Sequence, residues 1–201
     1  MESKKLRWVY LSVLALIWGS SFILIKKGLL GLSALQVGAL RIVFASIFLL
    51  LIGFRSLFLI PKHQWKYIAL TSLFGTFIPA FFFSIAQTQI TSSVSSVLNS
   101  LTPLNTLIIG ALFFKIGFQK RQIWGVLIGL LGSFLLVYAG AINNPNQNYY
   151  YAILILVASC CYAINVNLIK RFLSNLSPLS ISKGNFSVLF LPALCILFYS
   201  G

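Results

Sequence analysis

The sequence predicts an all-α membrane protein: seven transmembrane helices of a ten-helix fold built as an inverted repeat. Three observations carry that expectation. Hydrophobic residues make up 59% of the 201 residues and charged residues 8%, against about 25% charged in a soluble domain. A globule of this size could not hide so much apolar surface from water. Seven runs approach the roughly 20 apolar residues that cross about 30 Å of hydrocarbon as a helix. The chain also matches itself when shifted by 144 residues.

The runs are Trp8–Ile25, Leu35–Phe54, Tyr67–Ala86, Val94–Phe114, Ile123–Ala141, Tyr149–Ile169 and Ile181–Tyr199. Helices are expected because lipid offers backbone polar groups no partner, and the alternation of a membrane barrel is absent. The first run follows Lys4, Lys5 and Arg7, as a signal peptide would. Its apolar stretch nevertheless continues past Trp18-Gly19-Ser20-Ser21 into Phe22–Ile25, long enough to span. The fourth run reads as one helix bearing a single polar stripe.

The cations set the orientation. Lys4, Lys5, Arg7, Arg55, Lys62, Lys66, Lys115, Lys120, Arg121, Lys170 and Arg171 fall on one side, and only Lys26 and Lys27 on the other. The positive-inside rule puts the eleven in the cytoplasm and with them the N-terminus. A net charge of +14 would suggest nucleic acid in a soluble protein. Here the cations lie in small groups between apolar runs, so no single basic face exists, and lipid headgroups are the expected partner. Cys160, Cys161 and Cys195 lie inside apolar runs without metal or disulfide spacing, and His63 stands in a basic loop without other ligands. No metal and no cofactor are expected.

At the 144-residue shift, residues 25–35 fall on residues 169–179 with six of eleven positions identical, and Lys27 falls on Arg171. Five spans separate the copies, so the second enters the bilayer from the opposite side. Such inverted pairs place a substrate site near the midplane between them. Residues 1–144 then form the first five-helix unit, and residues 145–201 the first two helices of the second. Two full copies would need about 288 residues, so three further spans are expected beyond Gly201.

Four motifs, taken together, resemble a known family. They are Ala15-Leu16-Ile17-Trp18-Gly19-Ser20-Ser21-Phe22, Ala39-Leu40-Arg41, Leu101-Thr102-Pro103-Leu104 and Gln122-Ile123-Trp124-Gly125. In their order and intervals the chain resembles the EamA-type bacterial branch of the drug/metabolite transporter superfamily. The resemblance covers residues 8–140 well. It implies a multi-pass permease of the inner (cytoplasmic) membrane, with ten helices in two repeats and both termini cytoplasmic. The family often carries a Glu at the cytoplasmic end of the fourth helix; this chain has Phe113-Phe114-Lys115-Ile116 there.

Several residues are candidates for a substrate pathway. Ser92, Ser96, Asn99, Pro103, Thr106 and Gly110 recur at helical steps in the fourth run. Such a stripe packs closely on another helix or lines an aqueous path. Asn99 needs several partners for its amide, and Pro103 frees a backbone carbonyl that something must satisfy. Trp18 and Ser21 correspond to Tyr162 and Asn165 under the repeat; the four either meet substrate across the pseudo-symmetric centre or fill the core. Arg41 lies inside the second run with no carboxylate to pair it. It either snorkels toward the outer headgroups or meets backbone carbonyls, water or an anionic substrate group. Lys183 is expected at the cytoplasmic interface. Gly125, Gly129 and Ser133 form a small-residue ladder for close helix contact, within the fold or in a homodimer.

Enzyme chemistry is not expected from one His, one acid, no P-loop and no HExxH. With Glu2 as the only acid, the seven runs hold no carboxylate proton relay, which favours exchange or facilitated movement. The expected function is secondary transport of a small polar metabolite by alternating access. A non-transporting scaffold or channel subunit is the alternative.

Overall fold

In the computed structural model of the chain, each apolar run closes its backbone hydrogen bonds within itself, as a segment in hydrocarbon must. Residues 2–52, 54–117, 120–143 and 146–200 are described, apart from the side chains at 2–5, 55, 56, 120, 126, 136, 141 and 143. The side chains of Lys4, Lys5, Arg55 and Lys120 and the unit boundary at residues 144 and 145 therefore lie outside the described residues.

Among the described residues the α-helices are α1 Glu2–Gly28, α2 Ala34–Leu51, α3 Trp65–Ser72, α4 Ile78–Gln89, α5 Ser92–Asn99, α6 Thr102–Phe114, α7 Lys120–Asn143, α8 Ala152–Phe172 and α9 Pro178–Tyr199. They compose seven stretches long and apolar enough to cross a membrane: Leu6–Gly28, Ala34–Leu51, Lys62–Gln89, Ser92–Phe114, Arg121–Gly140, Tyr149–Phe172 and Pro178–Tyr199. All seven runs found in the sequence are present as helical spans.

Two spans are not plain α-helices. The third passes through a π-helical turn, Leu73–Phe77, between α3 and α4. Pro79 explains it: without an N–H it cannot bond the carbonyl of Gly75, and the ladder shifts so that Ile78 N–H donates to Leu73. The fourth span breaks at Ser100 and Leu101, between α5 and α6. One unbroken helix was expected there, and the break corrects it. Pro103, in the first turn of α6, is the cause.

The starts of α2 and α9 are set alike. Ser33 caps α2, with its side chain accepting from Gln36 N–H and the Gln36 side chain accepting from Ser33 N–H. Ser177 caps α9, accepting from Ser180 N–H, with Pro178 in the first turn. Ser33 and Ser177 stand 144 residues apart, as do the ends of α1 and α8 at Gly28 and Phe172 and the starts of α2 and α9.

The core sits where α2 meets α4 and α9, where α8 meets α4 and α6, and where α3 meets α9. One cluster joins Ile25, Val37, Phe83, Ile90, Val94, Leu98 and Ile155; a second joins Ile42, Val43, Phe81, Leu189 and Ala193; a third joins Ile60, Ile68, Leu173 and Ile181. Much of α1 and α7 stays peripheral, with Leu16, Trp18, Trp124, Ile128 and Phe134 exposed. In hydrocarbon such surfaces carry no penalty.

Candidate functional site

Three spans bring unusual chemistry to the middle of the membrane-crossing bundle. Arg41 lies near the centre of α2, Gly75 at the centre of the π turn, and Tyr162 and Asn165 near the centre of α8. Gly75 and Asn165 are in direct contact. A β-carbon added at Gly75 would lie 2.5 Å from Asn165 Cγ and 2.7 Å from its Oδ1. Only glycine lets the amide approach so closely. Asn165 Oδ1 is buried and accepts no hydrogen bond, a state that costs about 1–3 kcal/mol when left unmet.

One turn earlier on α8, Tyr162 is half-buried, its ring 6.2 Å from that of Phe83. Phe83 in turn lies 5.6 Å from Phe22 of α1, so a file of rings leads from α1 to α8. Tyr162 is also the electrostatic neighbour of Arg41. Arg41 follows Val37 and Gly38, which α2 buries against Gly28 of α1 and Phe81 of α4. Arg41 keeps some of its surface open, and among the described residues its guanidinium makes no hydrogen bond or ion pair. A cation at such depth costs about 2.5–3.5 kcal/mol on insertion scales.

Other sequence candidates have different surroundings. Trp18 is 63% exposed on α1, and the Ser21 hydroxyl donates back to Trp18 O at 2.8 Å. It is the next residue, Phe22, that reaches toward α8. In the fourth span the carbonyl that Pro103 orphans belongs to Asn99. The Thr102 hydroxyl satisfies it at 2.8 Å and also reaches Asn99 Oδ1 at 3.3 Å. Thr106 donates to Thr102 O at 2.7 Å. This half of the stripe is thus bonded within its own span. Ser96 donates to Ser93 O and lines a gap of about 370 Å³ with Ser100, Gly129, Gly132 and Ser133. Two members of the α7 ladder, Gly129 and Ser133, therefore face α5 of the same chain.

Sequence reasoning passed over three polar groups that join α6 to α8. Asn105 Nδ2 donates to Ser159 Oγ at 2.5 Å, and Asn167 Nδ2 donates to Thr106 O and Ala163 O at 3.0 and 2.9 Å. Asn167 packs on Gly110, where a β-carbon would meet its Oδ1 at 2.9 Å. Two asparagines deep in apolar runs were the available signal. Lys183, expected at the interface, is buried at 4% exposure. It lies more than a turn inside α9, at the level where α9 packs on α3 and Thr71 Oγ1 donates to Asn185 Oδ1.

The helical spans agree with the comparisons to known proteins. The model of the EamA-like transporter family matches residues 6–138. The chain belongs to this family. The EamA-like match takes in Arg41 and Gly75, whereas Tyr162 and Asn165 follow it. An uncharacterized transporter of Archaeoglobus fulgidus is 26% identical over 182 residues, which is 89% of this chain and 62% of that protein. An uncharacterized solute carrier family 35 member of Schizosaccharomyces pombe is 30% identical over 68% of this chain and 27% of its own length. A probable amino-acid metabolite efflux pump of Salmonella typhimurium is 26% identical over 63% of this chain and 41% of its own length. The chain thus spans less than two thirds of each of these relatives. No solved structure matches it. It is a multi-pass membrane protein of a transporter family.

Proposed function

We propose that this EamA-like chain forms the substrate-handling part of a secondary transporter that exports or exchanges a small polar metabolite by alternating access. The observation that carries the reading is the midsection itself. A π turn in contact with an asparagine whose buried oxygen is unpaired, and an unneutralised arginine that is the electrostatic neighbour of Tyr162, lie near the middle of three spans, the depth at which transporters of inverted design bind substrate. The matched helix ends and caps at the 144-residue shift support two units of opposite orientation. The cation asymmetry supports an inner-membrane protein with a cytoplasmic N-terminus. The Salmonella relative is named for amino-acid metabolites, which makes amino acids the first substrates to test.

Sealed proteoliposomes loaded with amino acids and related polar metabolites test this. Saturable, protein-dependent release of at least one compound is expected, insensitive to an imposed pH gradient because the spans carry no carboxylate relay. Asn165→Ala is expected to lower that flux about tenfold or more, by removing a ligand of the substrate. Absence of saturable flux from folded protein would leave the scaffold or channel reading.

A further inference from the structure

Arg41 poses a charge problem that the chain does not solve by itself. Glu2 is the only acidic residue in the sequence, and its place is at the start of α1. Arg41 is seven residues into α2, about 10 Å along its axis. It makes no hydrogen bond to a backbone carbonyl among the described residues. Its one electrostatic neighbour among the described residues is Tyr162, a phenol that carries no charge at ordinary pH. Position also argues against an outward-facing role. Arg41 is one turn inward of Val37 and Gly38, the two residues α2 commits to contacts with α1 and α4. Arg41 thus shares the face of α2 that carries Val37, whose cluster also takes in Phe83 and the partly buried Tyr162.

Beside this cation stands an acceptor without a donor. Asn165 Oδ1 is buried one turn from Tyr162 and is held against Gly75 by the π turn. A positive charge and an unpaired acceptor, each near the middle of its span, define complementary features in a ligand that reaches both. We propose that Arg41 binds a singly charged anionic group of the substrate, while a hydrogen-bond donor on the same molecule meets Asn165 Oδ1. Tyr162, the electrostatic neighbour of Arg41 and one turn from Asn165 on α8, positions the ligand. A single charge is specified because one guanidinium balances one anion; a dianion would be left half unpaired in a medium of low dielectric. The ligand class is a small organic monoanion that carries an amine or hydroxyl. This assignment rests on the transport reading above and names what that site would hold.

The test needs neither the natural substrate nor flux. In a full chain carrying Cys160→Ala, Cys161→Ala and Cys195→Ser, Asn165→Cys is introduced, with Tyr162→Cys as a second reporter should the first not fold. Reconstituted protein is treated with an anionic sulfonate and a cationic trimethylammonium methanethiosulfonate of similar size. Relative to their intrinsic rates, the anionic reagent is expected to react about tenfold faster, as a nearby unit charge at intermediate dielectric dictates. Arg41→Gln is expected to bring the ratio near one, and Arg41→Lys to retain most of it. Sodium lactate is expected to slow the anionic reagent at Tyr162→Cys more than lactamide does. A ratio unchanged by Arg41→Gln, or equal slowing by lactate and lactamide, overturns the proposal and leaves the transport reading standing. A reporter that neither reagent reaches overturns both, because the midsection would then be closed to water.

Discussion

An alanine at position 75 would set its methyl carbon 2.5 Å from Asn165 Cγ, well inside van der Waals contact. In an open helix the same exchange would gain about 1 kcal/mol. Here the asparagine has to move, so Gly75→Ala is expected to destabilise the protein by about 1–3 kcal/mol. In an Asn165→Ala background most of that loss should vanish, a coupling readable in a double-mutant cycle of unfolding midpoints. Strictly additive losses would mean that the two residues do not share the contact. Arg41 and Asn165 were both legible in the sequence, one as a charge inside an apolar run and the other by its position in the repeat. Gly75 was not, because its role is fixed by a side chain ninety positions away. The burial of Lys183 was hidden for a similar reason: its depth along α9 could be counted, but the burial comes from α3 packing over that turn.

At the scale of elements, hydropathy revealed spans but not their interior breaks. An apolar run looks the same whether it is α-helical throughout or shifts register at Pro79 or Pro103. What happens at each proline depends on who receives the freed carbonyl. Thr102 takes the one on Asn99, so Thr102→Val is expected to cost about 0.5–2 kcal/mol by leaving that oxygen unbonded in hydrocarbon. With Pro103→Ala present, the new N–H can reach Asn99 O, and Thr102→Val should become nearly neutral. The unfolding midpoints of the four proteins check this; an equal cost in both backgrounds would deny the hydroxyl its compensating role. The caps were better marked than the breaks. Ser33 with Gln36, and Ser177 with Pro178, are local signals that any reader of the sequence can find.

At the scale of the whole molecule, the same local signals recur at a fixed interval, and cations crowd the loops of one side. Lys26 and Arg171, which the 144-residue shift does not pair, make similar contacts at the two loops. Lys26 Nζ donates to Gln87 O at 2.6 Å at the end of α4, and Arg171 Nη1 donates to Phe114 O at 3.4 Å at the end of α6. Each cation meets carbonyls at a helix C-terminus, where a positive charge is favourable. An odd number of spans between these loops requires that they lie on opposite sides of the membrane. A site framed by two units of opposite orientation depends on that placement. The most direct measurement is aqueous labelling of single cysteines in a chain freed of Cys160, Cys161 and Cys195, one at Leu30→Cys and one at Ser174→Cys. In intact cells an impermeant maleimide is expected to label the Leu30 variant, and the Ser174 variant only after the membrane is opened. Labelling of both from the same side would contradict the account.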